Sequence, residues 1–178
     1  MKFHIDRSWC LFLDRDGVLN QRLFGGYVTH WADFAWTSNM PAAAGQLATP
    51  FAHVFVITNQ QCVAKGLATA HQINELHAKM QFELGENGMS VSAIQVATEA
   101  KGAAPMRRKP SPQMALELKE RFPEIDFQKS IMVGDTDSDV QFGKQLGMKT
   151  VLIRSEEVTH EVPDLYIDHL SDLMAHLS

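Results

Sequence analysis

Asp14 and Asp16 stand one residue apart at the end of the apolar run Trp9 to Leu13, and Gly17 follows them. Where an apolar strand of an α/β sheet ends, its last residues reach the crevice in which such sheets bind ligands. Two carboxylates there repel each other. At an effective dielectric near 20, like charges about 4 Å apart cost roughly 4 kcal/mol. Together with a third acid from elsewhere in the chain, the pair implies a bound Mg²⁺. Gly17, lacking a Cβ, lets the backbone turn sharply and aim an N–H at an anion.

Three more polar groups suit the same task. They are Thr58-Asn59-Gln60 after the second apolar run, Arg108-Lys109-Pro110 in a loop, and Gly134-Asp135-Thr136-Asp137-Ser138-Asp139 after the fourth. Phosphoryl transfer asks for a nucleophile in line, a divalent cation and donors around the equatorial oxygens. These four groups contain every part.

Elements that could gather them recur along the chain. Strand-like runs fall at Cys10 to Leu13, Val54 to Thr58, Val91 to Ala97, Ile131 to Val133, Val151 to Ile153 and Leu165 to Ile167, with helical patterns between them. That alternation predicts an α/β fold with a doubly wound parallel sheet covered by helices. Helices are expected at Ala42 to Ala48, from Thr69 with Gln72 completing a capping box and Gly85 and Gly88 ending it, from Ser111 as cap with Pro112 in the first turn, from Asp137 to Leu146 with Gly147 as the stop, and from Ser171 onward. Asp137 is expected to cap the helix it precedes. With 178 residues, no repeat and no linker, the whole of 1–178 reads as one domain.

Composition narrows the function. A formal net charge of -5 argues against a general polyanion binder, so nucleic acid is not the expected partner. The two cysteines, Cys10 and Cys62, fit a reduced cytoplasmic protein. No apolar run suits a signal peptide or a spanning helix, so no membrane association is expected. Arg107 is expected to face solvent, and the eight histidines, His77 among them, are read as surface or core groups without ligand spacing. The aromatics Tyr27, Trp31, Phe34 and Trp36 are expected to pack.

The order Asp14-x-Asp16-Gly-Val, Thr58 after a strand, a lysine before a helix, and Gly-Asp135-x-x-x-Asp139 resembles the four motifs of the haloacid dehalogenase (HAD) superfamily phosphatases. Gly17-Val-Leu-Asn20, Gly26-Tyr27-Val28, Thr58-Asn59-Gln60, Ala64-Lys65-Gly66 and Arg108-Lys109-Pro110 resemble its histidinol-phosphate and heptose-bisphosphate phosphatase branch. The resemblance implies a Rossmann-like, capless HAD fold and a Mg²⁺-dependent phosphomonoesterase acting on a small phosphorylated metabolite of carbohydrate metabolism. Asp14 would be the nucleophile that forms an aspartyl-phosphate, already ionised at neutral pH. Asp16 would move protons to the leaving group and from water, its pKa raised by neighbouring carboxylates. Asp14, the Asp16 backbone carbonyl and Asp135 would hold the metal; Thr58, Asn59 and Lys109 would hold phosphate oxygens, and Asp139 would position Lys109 or a metal-bound water. Arg108 would reach a second substrate group, with Gln61, Cys62 and Lys65 nearby.

The chain also departs from that branch. The interval Thr98 to Arg108 carries no cysteine or histidine, so a structural zinc loop is not expected. There is no room for a cap domain, and the mouth would be walled by Gly25 to Trp36 and Thr98 to Arg108. Two alternatives are set against this reading: a polynucleotide 3′-phosphatase, which calls for a basic aromatic groove, and a phospho-receiver switch. The switch needs an Asp after the third strand, where Thr98-Glu99 stands instead. The expected assembly is a monomer or weak homodimer.

Overall fold

Six strands, β1 (Cys10–Leu13), β2 (His53–Asn59), β3 (Val91–Ala97), β4 (Ser130–Gly134), β5 (Lys149–Ile153) and β6 (Leu165–Ile167), form one all-parallel sheet in the order β3-β2-β1-β4-β5-β6. The computed structural model describes residues 1–104 and 106–178. The chain runs outward from β1 through β2 to β3, then returns to lay β4 on the other side of β1. That reversal opens the crevice between the carboxyl ends of β1 and β4, where open sheets of this kind bind ligands.

Period-two alternation along the strands sorts the core into two layers. Leu11, Leu13, Val54, Val56, Ile131, Val133, Val151 and Ile153 point to one face, where they meet Ala44 and Leu47 of α1 (Ala44–Ala48), Met80 and Leu84 of α2 (Ala70–Glu86), and Leu170 and Leu173 of a 3₁₀ helix over Leu170–His176. Cys10, Phe12, Phe55, Ile57 and Met132 point to the other, against Met114, Ala115 and Leu118 of α3 (Gln113–Arg121) and Phe142 of α4 (Asp137–Leu146). No helix among the described residues is long and apolar enough to cross a membrane.

The strands β1, β3 and β6 and the helix α4 have their expected limits. The strands β2, β4 and β5 run one or two residues past their apolar runs, because backbone pairing continues where side chains turn polar: His53 pairs with Cys10, and Lys149 with Ile131. Thr69 and Gln72 form the anticipated capping box, but α2 passes through Gly85 and stops at Glu86, ahead of Gly88 with its φ of 85°. Pro112, not Ser111, occupies the N-cap of α3, so that helix starts one residue late. The last helix is 3₁₀ and begins at Leu170.

Asp137 does not cap α4. Thr136 takes the cap position, and the Asp137 carboxylate accepts the N–H groups of His160 (2.9 and 3.0 Å) and Glu161 (2.9 Å). It thereby ties the loop after β5 to the start of α4. A residue already inside the first turn points its side chain out from the helix, so capping passes to the residue before it.

Candidate active site

Asp14 sits one step past β1, and its N–H donates to the Val133 carbonyl at 2.9 Å, extending the β1–β4 ladder towards Asp135. The chain then turns tightly. The Arg15 carbonyl accepts from Val18, Leu19 and Asn20 (3.3, 2.9 and 3.2 Å), while the Gly17 N–H donates to the Asn20 carbonyl at 2.7 Å. Gly17 has φ 85°, and a Cβ there would lie 2.0 Å from Asp135 Oδ2. Glycine is therefore required twice over, by backbone conformation and by the close approach of a carboxylate.

Lys109 is buried between two acids, its Nζ 2.9 Å from Asp14 Oδ1 and 2.6 Å from Asp139 Oδ1. Two carboxylates face an ammonium that has three donors, so one N–H remains for a substrate oxygen. Asp139 Oδ2 accepts from the Asp135 N–H (3.2 Å), the Thr136 N–H (3.1 Å) and the Thr136 hydroxyl (2.7 Å). Asp139 thus anchors Lys109 from the first turn of α4. A Cβ on Gly134 would strike the Asp139 side chain at 2.1 Å, so this strand end also depends on glycine.

Asn59 serves the same lysine. Its Oδ1 accepts the Lys109 N–H at 2.9 Å, and its Nδ2 donates to the Lys109 carbonyl at 3.2 Å. One donor of the amide expected to hold phosphate is thereby spent on the Lys109 backbone, while the residue still lines the mouth. Thr58 is buried, and its hydroxyl accepts from Gln60 Nε2 at 2.8 Å.

Asp135 Oδ1 accepts from Arg22 Nη2 at 2.8 Å, and Glu157 approaches the same guanidinium at 3.8 Å. Asp135 Oδ2 is buried and has no hydrogen-bond partner. One carboxylate oxygen each from Asp14, Asp135 and Asp139 lie within 4.8 Å of one another. Within that cluster Asp139 Oδ1, itself without a hydrogen bond, is neutralised by the Lys109 ammonium, whereas Asp135 Oδ2 has neither a hydrogen bond nor a cation against it. A lone anionic oxygen in a buried place calls for a cation, which fits Mg²⁺ between Asp14 and Asp135. Asp16 turns its carboxylate away from the cluster, which leaves its backbone carbonyl as the group it could offer.

The acid–base properties follow from these contacts. Burial raises the Asp14 pKa, Lys109 opposes it, and the outcome is about 6, so the carboxylate remains ionised at neutral pH. Burial, then Asp14 and Asp139, push Asp135 up to about 8 against the pull of Arg22. Burial presses Lys109 down, but Asp139 and Asp14 outweigh it and hold the ammonium above the usual lysine value.

Asp16 behaves oppositely to expectation. Burial raises it, but Arg15, Asn20 and Gln60 together bring its pKa below the usual value. Arg15 Nη2 lies 2.8 Å from each Asp16 oxygen, Asn20 Nδ2 3.0 Å and Gln60 Nε2 2.8 Å away. Its side-chain neighbours are donors, where carboxylates had been anticipated.

The mouth is a cavity of about 430 Å³ lined by Arg22 to Val28, Asn59, Gln61, Lys65, Arg108, Thr136, Ser138 and Glu157 around Asp14, Asp16 and Lys109. Arg108 reaches it as expected, with Nη1 buried and unpartnered. Gln61 and Lys65 do too, the latter donating to the Tyr27 hydroxyl at 2.8 Å. Cys62 is buried in a small apolar cluster, and burial raises its thiol pKa. The anticipated walls are wrong in part. Trp31, Phe34 and Trp36 stack on one another and on the core, with Trp36 Nε1 donating to Glu83 at 2.8 Å. Tyr27 both packs and lines the mouth. From Thr98 to Arg108, Arg108 alone among the described residues lines it.

Arg107 is half-buried and not free in solvent. Its guanidinium holds both Glu117 oxygens (2.9 and 2.6 Å), Val96 O and Gln95. Glu99, where a receiver would carry its phosphorylated Asp, accepts the Arg107 and Arg108 N–H groups at 2.7 and 2.6 Å and is a loop staple. Sequence reasoning assigned no role to Arg15, Arg22, Gln60 or His77. Gln60 was signalled by its place beside Thr58; the other three carry no pattern of their own.

An aspartate pair at the first strand end, a buried lysine clasped by two acids and a Gly-Asp strand end, all at the switch point of a six-stranded parallel sheet, define a HAD-like phosphatase. The HAD-hydrolase-like family model matches residues 106–173. The chain is 36% identical over 134 residues to D-glycero-alpha-D-manno-heptose-1,7-bisphosphate 7-phosphatase of Mycobacterium tuberculosis, covering 75% of this chain and 70% of the relative. It is 32% identical to the D-glycero-beta-D-manno-heptose-1,7-bisphosphate 7-phosphatase of Rhodopseudomonas palustris, covering 88% of this chain and 89% of that one. The chain belongs to the heptose-1,7-bisphosphate 7-phosphatase family. Among solved structures, D,D-heptose 1,7-bisphosphate phosphatase of B. bronchiseptica, complexed with magnesium and phosphate, superimposes with a TM-score of 0.83 at 25% identity, covering 94% of this chain and 96% of that one.

Proposed function

We propose that this chain, acting as a single domain, removes one phosphate from a phosphorylated sugar, a heptose 1,7-bisphosphate, with Mg²⁺ held by Asp14, Asp135 and the Asp16 carbonyl. The observation that carries this reading is Asp14 paired with buried Lys109 beside the orphaned oxygen of Asp135. When bound, the metal supplies charge neutralisation between the carboxylates and the incoming phosphate. Asp14, ionised at neutral pH, attacks phosphorus through its free oxygen and forms an aspartyl-phosphate. Lys109 and the Thr58 hydroxyl, whose proton is freed because it accepts from Gln60, hold the equatorial oxygens. Asp16, held as a carboxylate by its donors in the free site, takes up a proton from solvent and passes it to the departing sugar oxygen, then takes one from the water that cleaves the acyl phosphate. Its low pKa makes the protonated form a strong acid but a scarce one at neutral pH, and keeps the carboxylate ready as the base of the second step.

The mouth supports a substrate with a second anionic end. Arg108 and Lys65 line it together with Lys109, and Tyr27 and Phe24 add aromatic surface to the same mouth. The test is phosphate release from heptose 1,7-bisphosphate compared with heptose 7-phosphate and histidinol phosphate. The bisphosphate should have the highest kcat/KM, and Asp14→Asn should lower it by ~10⁴-fold or more, since phosphate monoesters are among the slowest reactions in water. A preference for histidinol phosphate would overturn the substrate; substantial turnover by Asp14→Asn would overturn the nucleophile.

A further inference from the structure

Arg15 is completely buried. Its Nη2 donates to both oxygens of Asp16 and to the Val28 carbonyl at 3.0 Å, while Nη1 lies 3.2 Å from His77 Nε2 on α2. A guanidinium has only donors, so Nε2 must present its lone pair and the His77 proton must reside on Nδ1. Burial, then Arg15, drive the His77 pKa down to about 3, with Asp16 opposing, so the ring is neutral as this bond requires.

A buried arginine facing a neutral histidine is a costly arrangement that an apolar core would avoid. What it secures is orientation. A planar fork gripped at one tip by the Asp16 carboxylate and at the other by His77 cannot rotate about its own axis. The mouth loop is tied in as well, through Val28. We infer that His77 is a positioning residue for proton transfer: through Arg15 it fixes the aim of the Asp16 carboxylate, the group that exchanges a proton with the leaving oxygen. His77 touches neither substrate nor metal site, and the inference rests on Asp16 being the proton shuttle.

The experiment exploits leaving-group chemistry. An aryl phosphate leaves as a stabilised phenolate and needs little protonation, whereas a sugar or alkyl phosphate leaves as an alkoxide and needs it fully. Leaving-group release in the first turnover isolates the phosphorylation step from hydrolysis of the acyl phosphate. His77→Leu should slow that release about 10- to 100-fold for the sugar phosphate and less than about 3-fold for 4-nitrophenyl phosphate, with KM within about 2-fold. His77→Gln, which restores an acceptor, should recover most of the loss. Equal slowing on both substrates, or none on either, overturns the inference, because a merely structural role has no reason to sense the leaving group.

Asp16→Asn separates the two layers of argument. If it fails to discriminate between the substrates, the shuttle assignment is wrong; if it discriminates and the His77 variants do not, only the positioning role is wrong. Should His77→Leu fail to fold, Arg15→Lys, which keeps the charge but loses the fork, is judged by the same ratio.

Discussion

Gly17 shows how much chemistry one missing methyl group can permit. Its φ of 85° belongs to the left-handed region, and the space a Cβ would fill is held by Asp135 Oδ2. Gly17→Ala should therefore push the Asp135 carboxylate off its place as well as strain the turn. We expect the Mg²⁺ concentration for half-maximal activity to rise ~10-fold or more, with about 1–3 kcal/mol lost from stability in urea denaturation. Unchanged Mg²⁺ dependence would mean that Asp135 does not hold the metal through that oxygen. Alanine at Gly102, with φ 84° and nothing within 4 Å, carries the backbone strain without the clash, lies outside the mouth and is the matching control.

The elements contribute by where they stop. The end of β1 delivers Asp14, the end of β4 delivers Asp135, and the first turn of α4 delivers Asp139 to Lys109. Asp137, in the same turn, faces the other way and pins residues 160 and 161 of the loop that carries Glu157 towards Arg22. Asp137→Ala should cost about 1 kcal/mol and speed amide exchange across 156–161 in hydrogen–deuterium exchange, leaving first-turnover chemistry within about 2-fold. Exchange confined to α4 itself would show that Asp137 stabilises the helix and not the loop.

For the molecule as a whole, the buried carboxylates couple folding to pH and to metal. Asp135 has a folded pKa near 8, well above its unfolded value of about 3.9. The folded state therefore binds the proton more tightly, and stability falls as pH rises towards 8. His77 has the opposite sign: its depressed pKa makes stability fall as pH drops below about 6.5, where the unfolded ring charges. Between about 6.5 and 8 the histidine is neutral in both states, so Asp135 governs. In that interval the metal-free protein should lose Tm with rising pH, and the Tm gain from Mg²⁺ should grow, because the cation competes with that proton. Differential scanning calorimetry with chelator and with Mg²⁺ checks this; a Mg²⁺ shift independent of pH would sink it.

Hydrophobic runs and strand-end acids were legible in the chain because they are local: Leu11, Val56 and Val133 announce a strand wherever they occur, and Asp14, Asp16, Asp135 and Asp139 are tied to those strands by sequence. The parallel sheet and the class of reaction follow from such local patterns, the lysine was marked by the family resemblance, and the strand order was decided only by the winding of the sheet. Partnership was not legible, because it joins residues whose separation along the chain means nothing until the sheet is wound. Asp16 looked like an acid among acids, yet winding places Arg15, Asn20 and Gln60 around it and lowers its pKa. Asn59 carried a phosphate-ligand motif, but nothing in that motif announced that it also clamps the backbone of Lys109, 50 residues away. His77, 62 residues from Arg15, had no motif to mark it. Side-chain type can be read along a chain, but a titrating group's charge and aim depend on what the fold packs against it.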